Sequence, residues 1–105
     1  MSAGLLSGNV KAIFVFQVSI DIANNPTITT VANSVTVPGV QLGDFIYVNK
    51  PSHTTGIGIS NCRVSAVDTI EIQTVNPTAG GVNPAAETFT IMVVRPETVV
   101  AGVTF

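Results

Sequence analysis

Side chains that branch at Cβ dominate this chain: 17 Val, 10 Ile and 13 Thr in 105 residues, against three Leu and no Trp. Two heavy atoms on Cβ stiffen χ1 in a helix and suit a pleated strand. The chain is therefore predicted to be all-β. Nine Gly and six Pro cut it into short apolar runs, the spacing that a sandwich or small barrel requires. No repeat that would build a solenoid or propeller is present, and 105 residues hold one core rather than two. The prediction is a single-domain antiparallel β-sandwich over residues 1–105 with about seven to eight short strands.

Residues 10–22 open as an almost continuous apolar stretch, Ala12 to Phe16, and then alternate at Val18, Ile20 and Ile22. Such a run reads as a strand buried on both faces in its first half and half-exposed beyond. Asn24-Asn25-Pro26 ends it. Two short strands are expected at 27–31 and 34–37, then turns at Pro38-Gly39 and Leu42-Gly43-Asp44, where Pro presets φ and Gly accepts a positive one. Along 45–49, Phe45 and Tyr47 face one way and Ile46 and Val48 the other.

Residues 50–58 form an irregular polar loop carrying the one histidine, His53. Strands 59–66 and 70–75 are expected to form a hairpin about the three-residue loop Val67-Asp68-Thr69, pairing Ala66 with Ile70 and Ser65 with Glu71 and leaving Arg63 diagonal to Glu71. A second loop, NPTAGGVNPAA at 76–86, precedes a last core strand at 87–95 with Phe89, Ile91 and Val93 on its inner side, closed by Pro96. Residues 98–105 are apolar and uncharged.

Only 10% of residues are charged and the net charge is −2. The four basic residues, Lys11, Lys50, Arg63 and Arg95, are scattered, so neither the clustered cations of nucleic-acid binding nor a polybasic membrane patch is present. No apolar run reaches the ~18 residues of a membrane helix, and residues 1–8 lack signal-peptide features. Synthesis in a cytoplasm is expected.

Catalytic, cofactor-binding and metal sites are expected to be absent. His53 lies among ordinary loop residues, and one cysteine, Cys62, together with one histidine falls short of the roughly four ligands of structural zinc. Cys62 cannot form an internal disulfide and reads as a small hydrophobe on a strand. Among the carboxylates, Asp44 and Asp68 belong to turns, while Glu71 and Glu87 are placed on outer strand faces. Gly56-Ile57-Gly58 and Gly80-Gly81 lack the Lys-Ser/Thr of a phosphate loop. So few charges leave Thr, Ser, Asn and apolar groups to cover the surface, which points to self-association or docking on a larger assembly, with 1–9 and 98–105 as the expected arms.

The stretches 35–49 (VTVPGVQLGDFIYVN), Gly56-Ile57-Gly58-Ile59, 62–77 (CRVSAVDTIEIQTVNP) and 89–96, which ends Val-Val-Arg-Pro, together resemble small virion proteins of tailed phages. These include capsid decoration (cement) proteins and head-fibre or spike-base modules. The resemblance implies a non-enzymatic β-sandwich on the outer capsid surface, assembled as a homotrimer and tying neighbouring copies of the major capsid protein together. It brings no cofactor and no small-molecule substrate, and no binding residues carry over, because the matched positions are turn and core residues. A head-fibre or tail-fibre module for host attachment, working through the 50–58 loop, is the alternative.

Overall fold

A computed structural model describes residues 9–97. Six strands follow in order: β1 (Val10–Ile20), β2 (Thr29–Thr36), β3 (Phe45–Asn49), β4 (Gly58–Ala66), β5 (Thr69–Asn76) and β6 (Glu87–Pro96). Two antiparallel three-stranded sheets result, ordered β1-β6-β3 and β2-β5-β4. The all-β expectation holds, with six strands among the described residues rather than seven to eight. No described helix is long and apolar enough to cross a membrane. The arms proposed from 1–9 and 98–105 lie, apart from Asn9, outside the described residues.

Period-two burial gives both sheets one shared core. Ile46 of β3, Phe89, Ile91 and Val93 of β6 and Ile20 of β1 meet Val64 of β4 and Ile70 and Ile72 of β5, with Val37 and Val40 between β2 and β3. Phe89, Ile91, Ile70 and Ile72 are fully buried, and completely burying such side chains is worth ~1.5–3 kcal/mol each. The inward set of the last strand and the two-faced reading of β3 are both as expected.

Several details differ from the sequence reading. β2 is one continuous strand, because Ala32 and Asn33 stay in the ladder opposite Gln73 and Ile72. Asn33 tolerates burial there by donating to Ile72 O at 2.9 Å and accepting from Ala23 N–H at 3.0 Å. The β4–β5 hairpin closes with Ala66 opposite Thr69, leaving the two-residue loop Val67-Asp68. A bulge at Ser65 restores the parity that keeps Val64 and Ile72 both inside. Arg63 consequently sits directly opposite Glu71, Nε to Oε1 3.0 Å, rather than diagonally. Glu87 shares the inward parity of Phe89 and Ile91 and is half-buried, not on an outer face.

The first half of β1 is not buried on both faces. As an edge strand paired only with β6, it leaves Ile13, Phe14 and Val15 exposed. Its apolar run therefore marks uncovered surface.

A candidate interaction surface

Strand register builds an apolar patch on the outer side of the β1-β6-β3 sheet. β6 pairs with β1 on one side and β3 on the other, which aligns Ile13, Val94 and Phe45 in one row and Val15, Met92 and Tyr47 in the next. Side chains directly opposite one another share a face, so these six cover the outer side of the β1-β6-β3 sheet. Ile13, Val15, Phe45 and Tyr47 are 46%, 66%, 55% and 54% exposed; the central pair, Met92 and Val94, is half-covered by its neighbours. The following row, Gln17, Thr90 and Asn49, is polar.

Phe45 and Tyr47 alone leave roughly 200 Å² of ring and stem uncovered, since a buried aromatic hides ~150–250 Å². With the four aliphatic neighbours the patch reaches the several hundred Å² that in soluble proteins usually marks an interface. No ionised side chain stands in either row. Sequence reading placed the docking surface in the chain ends. The signal that could have found this one was the unbroken apolar run of β1, together with an aromatic pair on one side of β3.

Charged groups are used locally. Arg95 donates through Nε to Asp44 Oδ1 at 3.0 Å and through a terminal nitrogen to Asp44 Oδ2 and Gly39 O, both at 2.8 Å. Its guanidinium lies 5.3 Å from the centre of the Phe14 ring. This fork ties the β2–β3 connection to β6. The Arg95 hydrogen bond holds the Asp44 carboxyl below the usual carboxylate range, against its burial and with help from the Gln41 N–H. The two turns in that connection need their glycines: Gly39 has φ 99° and Gly43 φ 96°, a region that side-chain-bearing residues avoid.

At the other end of the sheet Lys50 Nζ lies 2.6 Å from Glu87, and the Ser52 hydroxyl also donates to that carboxylate. These bonds, that of Lys50 first, hold the Glu87 carboxyl below its ordinary range. Lys50 further donates to Ser52 O at 2.7 Å and Thr54 Oγ1 at 2.9 Å, so the 50–58 loop is tethered despite its irregular path.

The residues weighed for chemistry are not brought together. Cys62 packs against the core from β4, and burial pushes its thiol up, which disfavours the thiolate. His53 is exposed in its loop. Asp68 caps a neighbouring turn by accepting from Gly39 N–H at 2.8 Å, and Glu71 pairs with Arg63. Among the described residues no three His, Cys, Asp or Glu side chains are gathered as metal ligands.

No family model, curated protein or solved structure matches this chain.

A buried polar cluster was not foreseen. Asn25, Thr74 and Asn76 are fully buried. The Thr74 hydroxyl donates to Asn25 Oδ1, and Asn25 Nδ2 donates to Thr29 O at 3.1 Å. Asn76 Nδ2 reaches Asn25 O at 2.9 Å and Gly80 O at 2.8 Å, while its Oδ1 accepts from Thr78 N–H at 2.9 Å. Backbone bonds between Asn25 and Val82 complete it. The Asn-Pro steps that read as simple turns thus also fasten the 76–86 loop to the segment before β2.

Proposed function

We propose that this chain is a non-enzymatic virion structural protein that decorates the outer surface of an assembled tailed-phage capsid and cements neighbouring copies of the major capsid protein. In this reading the two sheets pack as a β-sandwich, and the protein acts as a homotrimer. The observation that carries it is the two adjacent uncharged apolar rows across the outer face of β1-β6-β3, three strands wide. A surface of that kind suits a permanent contact rather than a reversible catalytic one. The choice of partner rests on the resemblance of the turn pattern in 35–49 and 62–77 to phage decoration proteins.

The mechanism is mass action. A protein that binds the expanded shell and not its precursor stabilises the expanded state by RT ln(1 + [L]/Kd), about 2.7 kcal/mol per site at a hundredfold excess over Kd. The effect is repeated at every symmetry-related site. Purified protein mixed with undecorated expanded shells is expected to co-sediment with them and to raise their melting temperature. Shells that pellet without it and melt unchanged would overturn the reading. Attachment to a host surface is the second reading, favoured by the neighbouring exposed rings of Phe45 and Tyr47, which could stack on sugars. Binding of the isolated protein to intact cells, lost in Tyr47→Ala, would select it.

A further inference from the structure

β1 is an edge strand of eleven residues, and among the described residues it pairs only with β6. From Ala12 to Ile20 it carries neither a charge nor a proline, and its one bulge lies at its start, between Val10 and Ala12. It therefore lacks most of the devices that keep an exposed edge from pairing. Phe14, Phe16 and Val18 line an open apolar groove of about 770 Å³ beside that edge.

The ends of the strand say what it would pair with. Lys11 stands at one end and Asp21 just past the other, both exposed. The described ion pairs join Lys50 to Glu87, Arg63 to Glu71 and Arg95 to Asp44, which leaves Lys11 and Asp21 outside them. Ile13, Val15, Gln17 and Ser19 are all exposed, and Asp21 continues that alternation between buried Ile20 and Ile22. The basic and acidic ends thus share the outer side. A strand with a cation at one end, an anion at the other and no charge between is complementary to an antiparallel copy of itself. A parallel copy would set like charges together. The other edge bordering the groove, β2, has no ionised side chain to answer them.

We infer that two copies of this chain pair along β1, antiparallel about a two-fold axis at Phe16. In that register Phe16 meets Phe16 of the second copy, Phe14 lies opposite the second copy's Val18, and Lys11 lies opposite its Asp21. The same contacts repeat on the other side of the axis, as an isologous interface requires. Two three-stranded sheets become one of six, and the Phe and Val side chains of the second copy come to the mouth of the groove. Ladder bonds and apolar side chains supply the affinity, while exposed ion pairs, weak singly, fix direction and register. The long lysine stem can take up the offset of the bulge. This contact is separate from the homotrimer proposed above and does not depend on it.

Residue-resolved hydrogen exchange on the full chain, followed against protein concentration, tests this. The β1 amides that point away from β6 should exchange slowly in concentrated protein and faster on dilution, with the amides facing β6 protected throughout. Lys11→Glu alone, or Asp21→Lys alone, puts two like-charge pairs where two opposite pairs stood. Either should raise the concentration needed for half protection at least about tenfold. Mixing the two variants should restore the wild-type value, since each supplies the charge the other lacks, and so should the double reversal Lys11→Glu/Asp21→Lys. Both positions are exposed, so neither reversal disturbs the core. Edge amides whose exchange ignores concentration overturn the inference, as do single reversals without effect or a mixture that pairs no better than its components. Protection that appears only on adding another protein assigns the edge to that partner and also overturns it.

Discussion

Ile28 carries a strain that a substitution can release. Its φ is 46° and its side chain is 75% exposed, a left-handed conformation that a β-branched residue adopts at ~1–2 kcal/mol. Ile28→Asn removes that penalty and gives up no buried contact. Urea unfolding should show the variant more stable by about 1 kcal/mol; an unchanged or lower midpoint would mean that the turn is held for another reason. The opposite sign is expected at Asn25. Asn25→Ala takes one partner from the buried Thr74 hydroxyl and one from the half-buried Thr29 carbonyl and should destabilise by about 1–3 kcal/mol in the same experiment.

Acid should weaken the fold in a defined direction. Because Asp44 titrates lower in the folded chain than when unfolded, its contribution is fully present above the ordinary carboxylate range near pH 4. That contribution is lost as pH falls through the depressed folded value. Glu87, held down by Lys50, acts with the same sign. Stability measured by denaturant at successive pH values should be flat from neutrality to about pH 5 and then decline. Asp44→Asn should lower stability at neutral pH by about 1–2 kcal/mol and make the acid decline shallower. A variant that kept the full decline would show that other carboxylates carry it.

Among the elements, β3, β5 and β6 were legible because period-two burial is written in them: Ile46 against Tyr47, Ile70 and Ile72 against Glu71, Phe89 and Ile91 against Thr90. The turns at Gly39 and Gly43 were equally plain. The hairpin register was not, since a bulge is a local backbone choice that alternation of side chains does not encode. Asp68 at φ 60° lets the two-residue loop close, and its carboxylate holds Gly39 N–H. Asp68→Ala loses both advantages and should cost about 1–2 kcal/mol, whereas Asp68→Gly should cost less; equal losses would assign the whole effect to the carboxylate. The fate of β1 was hidden for a different reason. A run such as Ile13-Phe14-Val15-Phe16 has the same appearance whether both its sides are covered within the chain or await cover, and sheet order decides between them. The outer apolar face was hidden too, because it is assembled from three strands distant in sequence.

For the molecule as a whole, the outer face of β1-β6-β3 is the surface on which self-association and docking should depend. Val15→Lys/Tyr47→Lys places two charges among six apolar side chains while removing little buried area, so folding stability should stay within about 0.5 kcal/mol per substitution. Sedimentation velocity should then show wild-type chain as an oligomer and the variant as a monomer. An oligomer that survives both lysines would move the interface elsewhere on the surface.

The pairing of the first strand with the last also governs how the protein is born. Of the described strands β1 leaves the ribosome first and its ladder partner β6 last, so contacts of such long separation form late. β2, β4 and β5 can close their own sheet in the meantime, while Ile13 to Phe16 trail as an unpaired greasy ribbon. Crowded polysomes or sluggish translation through the 76–86 loop would lengthen that vulnerable interval, and overexpression at lower temperature with chaperones should raise the recovered yield.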